Sequence, residues 1–66
     1  MMPNESMMNR WEQGNMDDEE VVRFFADMVR TGMAWALQGD YSRTALYLIK
    51  ERYITNEGRV LKLPGD

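Results

Sequence analysis

Residues Gly32 to Ile49 read G-M-A-W-A-L-Q-G-D-Y-S-R-T-A-L-Y-L-I, and this stretch decides the fold. It carries the end of one amphipathic pattern, a glycine corner at Gly39, and the start of a second. Gly39 suits the left-handed position that ends a helix, and Asp40 or Ser42 can cap the helix that follows. A connection this short makes the two helices antiparallel neighbours.

Working back from that corner, D-D-E-E-V-V-R-F-F-A-D-M-V-R-T-G-M-A-W-A-L-Q-G predicts a helix from Asp17 to Gly39. Its first residues, Asp17, Asp18, Glu19 and Glu20, suit the partial positive charge of a helix start, with Asn15 or Asp17 as N-cap. A four-acid run can also imitate nucleic-acid phosphates toward a basic target, but the helix-start reading needs no partner. At about 100° per residue, Val21, Val22, Phe24, Phe25, Met28, Val29, Gly32, Met33, Trp35 and Ala36 share one side. That apolar stripe covers roughly 200°, about twice what one neighbour buries. The surplus points to a homodimer, with Phe24, Met28 and Met33 at the contact and Gly32 as a helix-crossing point. The competing reading of Gly32 is a kink or an early break at Thr31-Gly32.

Working forward, the second helix runs from Tyr41 to Arg52, with Tyr41, Ala45, Leu46, Leu48 and Ile49 inward and Arg43, Thr44, Tyr47, Lys50 and Glu51 outward. Tyr53-Ile54-Thr55 and Arg59-Val60-Leu61, flanking Asn56-Glu57-Gly58, predict a short β-hairpin. Residues 1–15 have no sustained period and contain Pro3, Asn4, Asn9, Gly14 and Asn15, which predicts a flexible N-terminal tail. The expected organisation is one mainly α domain over residues 16–63, a two-helix hairpin with a short C-terminal β-hairpin, and a tail at 64–66. Phe24, Phe25, Met28, Trp35, Leu48 and Ile49 are the expected core.

Composition narrows the chemistry. The 66 residues include no cysteine and no histidine, which removes the usual strong nucleophile, the usual base near neutral pH and the usual zinc ligands. Catalysis, a metal and a cofactor are therefore not expected. The formal charge of -3 disfavours general phosphate binding. No apolar run approaches a membrane span and no secretory leader is evident, so a soluble cytoplasmic protein is expected.

The pattern Gly32-x-x-Trp35-x-Leu37-Gln38-Gly39-x-Tyr41-x-Arg43-x-Ala45-x-x-Leu48-Ile49 resembles one in short uncharacterised accessory proteins of tailed bacteriophages. The likeness covers Gly32 to Ile49, and neither the first sixteen residues nor the final hairpin shares it. It implies phage origin and action inside a bacterial host. Small phage proteins of this kind often bind a host protein, including inhibitors of defence systems such as CRISPR effectors. The resemblance carries over no catalytic residue.

Two roles compete on the residues themselves. In the first, a non-enzymatic interaction protein blocks a host protein, with Arg43, Tyr47 and Lys50 as contacts and Trp11 docking from the tail. In the second, a winged-helix-like DNA binder reads with Ser42, Arg43, Thr44, Tyr47 and Lys50 while Arg59 and Lys62 touch phosphates. Residues 40–66 hold five basic and four acidic side chains, against three and seven in residues 1–39, so the basic bias is slight.

Overall fold

The acidic run builds a helix start. Asp17 is extended (φ −79°, ψ 172°), its Oδ1 accepts the Glu20 N–H at 2.8 Å, and the Glu20 carboxylate accepts the Asp17 N–H at 3.3 Å. That is a reciprocal capping box. In the computed structural model, which describes residues 5–65, four helices follow in order: α1 (Glu5–Glu12), α2 (Asp18–Arg30), α3 (Met33–Ala36) and α4 (Tyr41–Lys50). The mainly α expectation holds, with two corrections inside the expected helices.

The first is a break. The Asp17-to-Gly39 helix ends at Arg30, because the Thr31 hydroxyl and amide both donate to the Asp27 carbonyl (2.9 and 3.0 Å) and Gly32 turns left-handed at φ 81°. Gly32 is no crossing point either. A Cβ placed there would meet nothing within 4 Å. Of the two readings of Thr31-Gly32, the early break describes the chain.

The second concerns the wide stripe. Val22, Phe24, Phe25, Ala26, Met28 and Val29 of α2 are all buried, together with Ala34 of α3, Tyr41, Ala45 and Leu48 of α4, and Ile54 beyond it. α2 packs on both α3 and α4, which also pack on each other. Met7, Met8 and Trp11 of α1 and Val60 and Leu63 of the C-terminal segment cover the rest. Several neighbours from one chain thus cover what a single neighbour would leave open. Phe24 is 2% and Met28 0% exposed, and Met33 is half-buried, so Phe24 and Met28 present no surface to a second copy.

The flexible-tail expectation is corrected over Glu5–Glu12, which is helical. Residues 1–4, and Asp66 of the expected C-terminal tail, lie outside the described residues. α1 buries none of its own residues completely, and is held by side chains that periodicity does not reveal. Arg10 pairs with Glu20 at 2.8 Å, so the carboxylate that completes the capping box also tethers α1. Trp11 sits edge-on to Phe25 at 5.0 Å and tilted against Tyr41 at 4.8 Å.

The β-hairpin is not formed. Among the described residues there is no strand, and the segment after α4 contributes one isolated antiparallel bridge, Ile54 to Val60. Two attachments replace the ladder. The Thr55 hydroxyl accepts the N–H groups of Glu57 and Arg59 (3.2 and 3.0 Å), folding the turn on itself. Gly58, buried at φ 87°, lays its backbone on α2, where a Cβ would stand 2.6 Å from the Arg30 nitrogen and 2.7 Å from the Arg30 Cβ. The close backbone approach expected at Gly32 therefore occurs at Gly58.

Trp35 is also displaced from the expected core. Ala34 faces inward at 0% exposure, and the next position on a helix points about 100° away, leaving Trp35 46% exposed. Ile49 is half-buried. Trp35→Ala should accordingly cost about 1 kcal/mol or less in a urea melt, rather than the roughly 3 to 5 of a buried tryptophan. A loss in the larger range would place Trp35 in the core after all.

Candidate functional site

Once Tyr41, Ala45 and Leu48 are anchored inward, positions three, four and seven apart on the far side of α4 form a continuous outer face. Arg43, Leu46, Tyr47 and Lys50 have that spacing and are all exposed. Leu46 and Tyr47 are each 57% exposed and are flanked by two cations. Leu46 was expected inward. Ala45 marks the centre of the buried side, and one residue further the helix has already turned Leu46 toward solvent.

Arg43 lies 3.7 Å from Asp40, with both side chains largely in solvent. Such a pair contributes little and leaves the guanidinium open to a partner. Lys50 has no ion pair among the described residues. Trp11, by contrast, spends its ring on Phe25 and Tyr41 and holds α1 in place. Of the expected contacts, Arg43, Tyr47 and Lys50 are brought together, and Trp11 is placed elsewhere.

Two grooves border the structure's working surfaces. One, lined by Val21, Leu48, Tyr53 and Pro64, is joined to the α4 face by Tyr47. The other runs between α2 and the Gly58 turn, where Arg23 pairs with Glu19 at 3.4 Å and Arg30 with Asp27. Arg59 and Lys62, assigned to a wing in the DNA reading, lie on the turn segment rather than on strands. No group of three or more His, Cys, Asp or Glu among the described residues is arranged to hold a metal ion. No helix among them is long and apolar enough to cross a membrane.

Residue Arg52 escaped the sequence reading. α4 ends in a Schellman arrangement, with the Tyr53 N–H donating to the Leu48 carbonyl at 2.9 Å and the Arg52 N–H to the Ile49 carbonyl at 3.1 Å. Arg52 occupies the left-handed position, φ 66°, that glycine usually fills. Just beyond it, the Lys62 ammonium lies 4.9 Å from the centre of the Tyr53 ring.

One titration is displaced. Burial first, then the hydrogen bond that Tyr41 donates to Glu12 and the charge of that carboxylate, push the Tyr41 hydroxyl from 10.0 up to about 12. The fold favours the protonated phenol, so its contribution is complete below pH 10 and is lost as pH rises from 10 to about 12. Two units correspond to about 2 to 3 kcal/mol. Urea melts across that range should show the loss in the parent and not in Tyr41→Phe. Equal slopes in the two would remove the displaced titration.

These helices, closed by the Gly58 turn, define a small mainly helical domain with Arg43, Leu46, Tyr47 and Lys50 exposed on one face of α4. The chain belongs to the family described as Domain of unknown function (DUF7417), whose model matches residues 5–65 and so takes in all four helices and the turn. No curated protein and no solved structure matches it.

Proposed function

We propose that this protein works by binding rather than by chemistry, as a phage-encoded accessory protein in the bacterial cytoplasm that holds and blocks a host protein. The outer face of α4 is the contact, and a component of a defence system such as a CRISPR effector is the class of target that the resemblance to phage accessory proteins favours. One observation carries the reading: Leu46 and Tyr47 stand 57% exposed between Arg43 and Lys50 on a helix whose opposite face is fully committed to the core. Large apolar and aromatic groups rimmed by cations are the composition of binding hot spots. The lack of histidine and cysteine supports a role without catalysis.

DNA binding by the same helix is the rival. A duplex extends well past one short helix, and Asp18 stands beside Tyr47 in the adjoining groove of a chain whose formal charge is -3, which disfavours a phosphate backbone. Affinity purification from infected cells separates the readings when the parent and Leu46→Ser/Tyr47→Ala are run side by side. Both substituted side chains are exposed, so the variant should melt within about 1 kcal/mol of the parent. The expected result is a host protein retained by the parent at moderate salt and lost by the variant. Equal retention by both, or a bound species that is nucleic acid released steeply by salt, would defeat the proposal.

A further inference from the structure

The cations of this chain divide by position. Arg10, Arg23, Arg30 and Arg43 each pair with a carboxylate, Glu20, Glu19, Asp27 and Asp40 respectively. Lys50, Arg52, Arg59 and Lys62 pair with none among the described residues, although Glu51 and Glu57 lie in the same third of the chain. Among the described residues, the cations without a paired carboxylate thus fall in one segment of a protein of formal charge -3.

That segment is continuous with the α4 face. Tyr47 and Tyr53 line one groove, Lys50 is one turn beyond Tyr47, and the Tyr53 carbonyl accepts the N–H groups of Leu61 (2.8 Å) and Lys62 (3.4 Å). The Lys62 backbone is therefore held beside the chain that has just left Arg52. Arg52 itself is the only described residue other than glycine at positive φ. The backbone there would be relaxed by glycine, so folding gains nothing from a side chain at this position. A residue in a conformation its backbone resists marks a place where the side chain is used.

We propose that the surface running from Tyr47 through Lys50 and Arg52 to Tyr53 and Lys62 docks an acidic, partly apolar segment of a partner protein, with Arg52 as its anchor. This rests on the reading of α4 as a protein-binding face and adds the partner's chemistry. Charge complementarity selects carboxylates, which a guanidinium grips with two hydrogen bonds. The exposed Leu46 and Tyr47 select apolar groups beside the cations and disfavour a bare phosphate backbone. Asp18 also lines the groove between Tyr47 and Tyr53, so the segment's apolar groups belong over that groove and its carboxylates over Lys50, Arg52 and Lys62.

The test titrates the ¹⁵N-labelled full chain with three probes: an amphipathic peptide of glutamate and leucine, its lysine-and-leucine counterpart, and a short DNA duplex. The acidic peptide should move the amides of Lys50, Arg52, Tyr53 and Lys62, and the basic peptide should not. Arg52→Gly should bind the acidic peptide about tenfold more weakly while its melting temperature stays equal or rises. Lys62→Ala, which leaves the left-handed backbone untouched, should weaken binding in the same direction. No response to the acidic peptide, equal response to the basic one, a stronger response to DNA, or full affinity in Arg52→Gly would overturn the inference. Failure is distinguishable from that of the parent reading. A host protein lost by Leu46→Ser/Tyr47→Ala but held fully by Arg52→Gly keeps the binding face and removes the acidic partner.

Discussion

Gly58→Ala is expected to remove about 2 to 5 kcal/mol of folding stability. The added methyl would enter the backbone of α2, 2.6 Å from the Arg30 nitrogen and 2.7 Å from its Cβ, and neither neighbour is a flexible side-chain end that can swing away. Separating the turn from α2 costs about 1 to 3 kcal/mol by analogy with overpacked cores. Holding alanine at φ 87° adds roughly 1 to 2. A domain of this length has about 3 to 10 kcal/mol in total, so the sum is a large fraction of it and the thermal midpoint should fall steeply. Gly32→Ala is the control, because its φ of 81° imposes the same backbone strain with open space around the new methyl. It should lose only the strain contribution. Circular dichroism melts of both variants read the difference, and equal losses would show that the turn does not rest on α2 as described.

Phe25→Ala should be comparably severe, with a loss of about 3 to 5 kcal/mol. Phe25 is fully buried and sits among three rings, edge-on to Trp11 at 5.0 Å and to Phe24 at 5.1 Å, and 6.2 Å from Tyr41. Its removal leaves a cavity at the point where α1 is fastened to α2. Trp11 loses its edge-on partner, so α1 should loosen before the rest of the molecule, and the fluorescence of Trp11 should shift to the red. Trp35 is already half in water and should contribute little to that change. A double-mutant cycle between Trp11 and Phe25 should return a coupling of about 0.5 to 1.5 kcal/mol. A coupling near zero would mean that α1 is held by its other attachments, Arg10 to Glu20 and Glu12 to Tyr41.

Local electrostatics and periodicity made part of this molecule legible. Asp17 to Glu20 announced a helix start because N-cap and dipole preferences act over one turn, and all of the chemistry involved is adjacent in sequence. The stripe on α2 and the outward Arg43, Tyr47 and Lys50 on α4 followed from helical spacing. The stripe holds as read from Val22 to Val29 but not beyond the break at Arg30, where Trp35 and Ala36 are exposed, and its cover was sought in a second copy. The cover comes from α1 and the turn, whose attachments are long-range: Trp11 on Phe25, Arg10 on Glu20, Gly58 on Arg30. None of these leaves a periodic trace. Gly32 and Gly58 carry the same residue type and nearly the same φ, yet only the folded chain shows which one touches a helix. Trp35 misleads for a related reason, since a helix of four residues offers one inward position, and Ala34 takes it.

This division of the surface has a functional consequence. With Phe24 and Met28 sealed inside, the large apolar groups left exposed are Trp35 on α3, Leu46 and Tyr47 on α4, and Leu61 beyond it. Binding and folding then draw on different residues. Substitutions on the α4 face should therefore alter affinity without altering the melt, and those in the α2 stripe should do the reverse.

One chain covers its own α2 stripe, and sedimentation equilibrium on dilute protein reads this out without any partner. The account requires a mass of 7.8 kDa, with a thermal midpoint that does not move as the protein is diluted. A mass about twice that, or a midpoint that falls with dilution, would show that a second copy completes the core and would contradict the account.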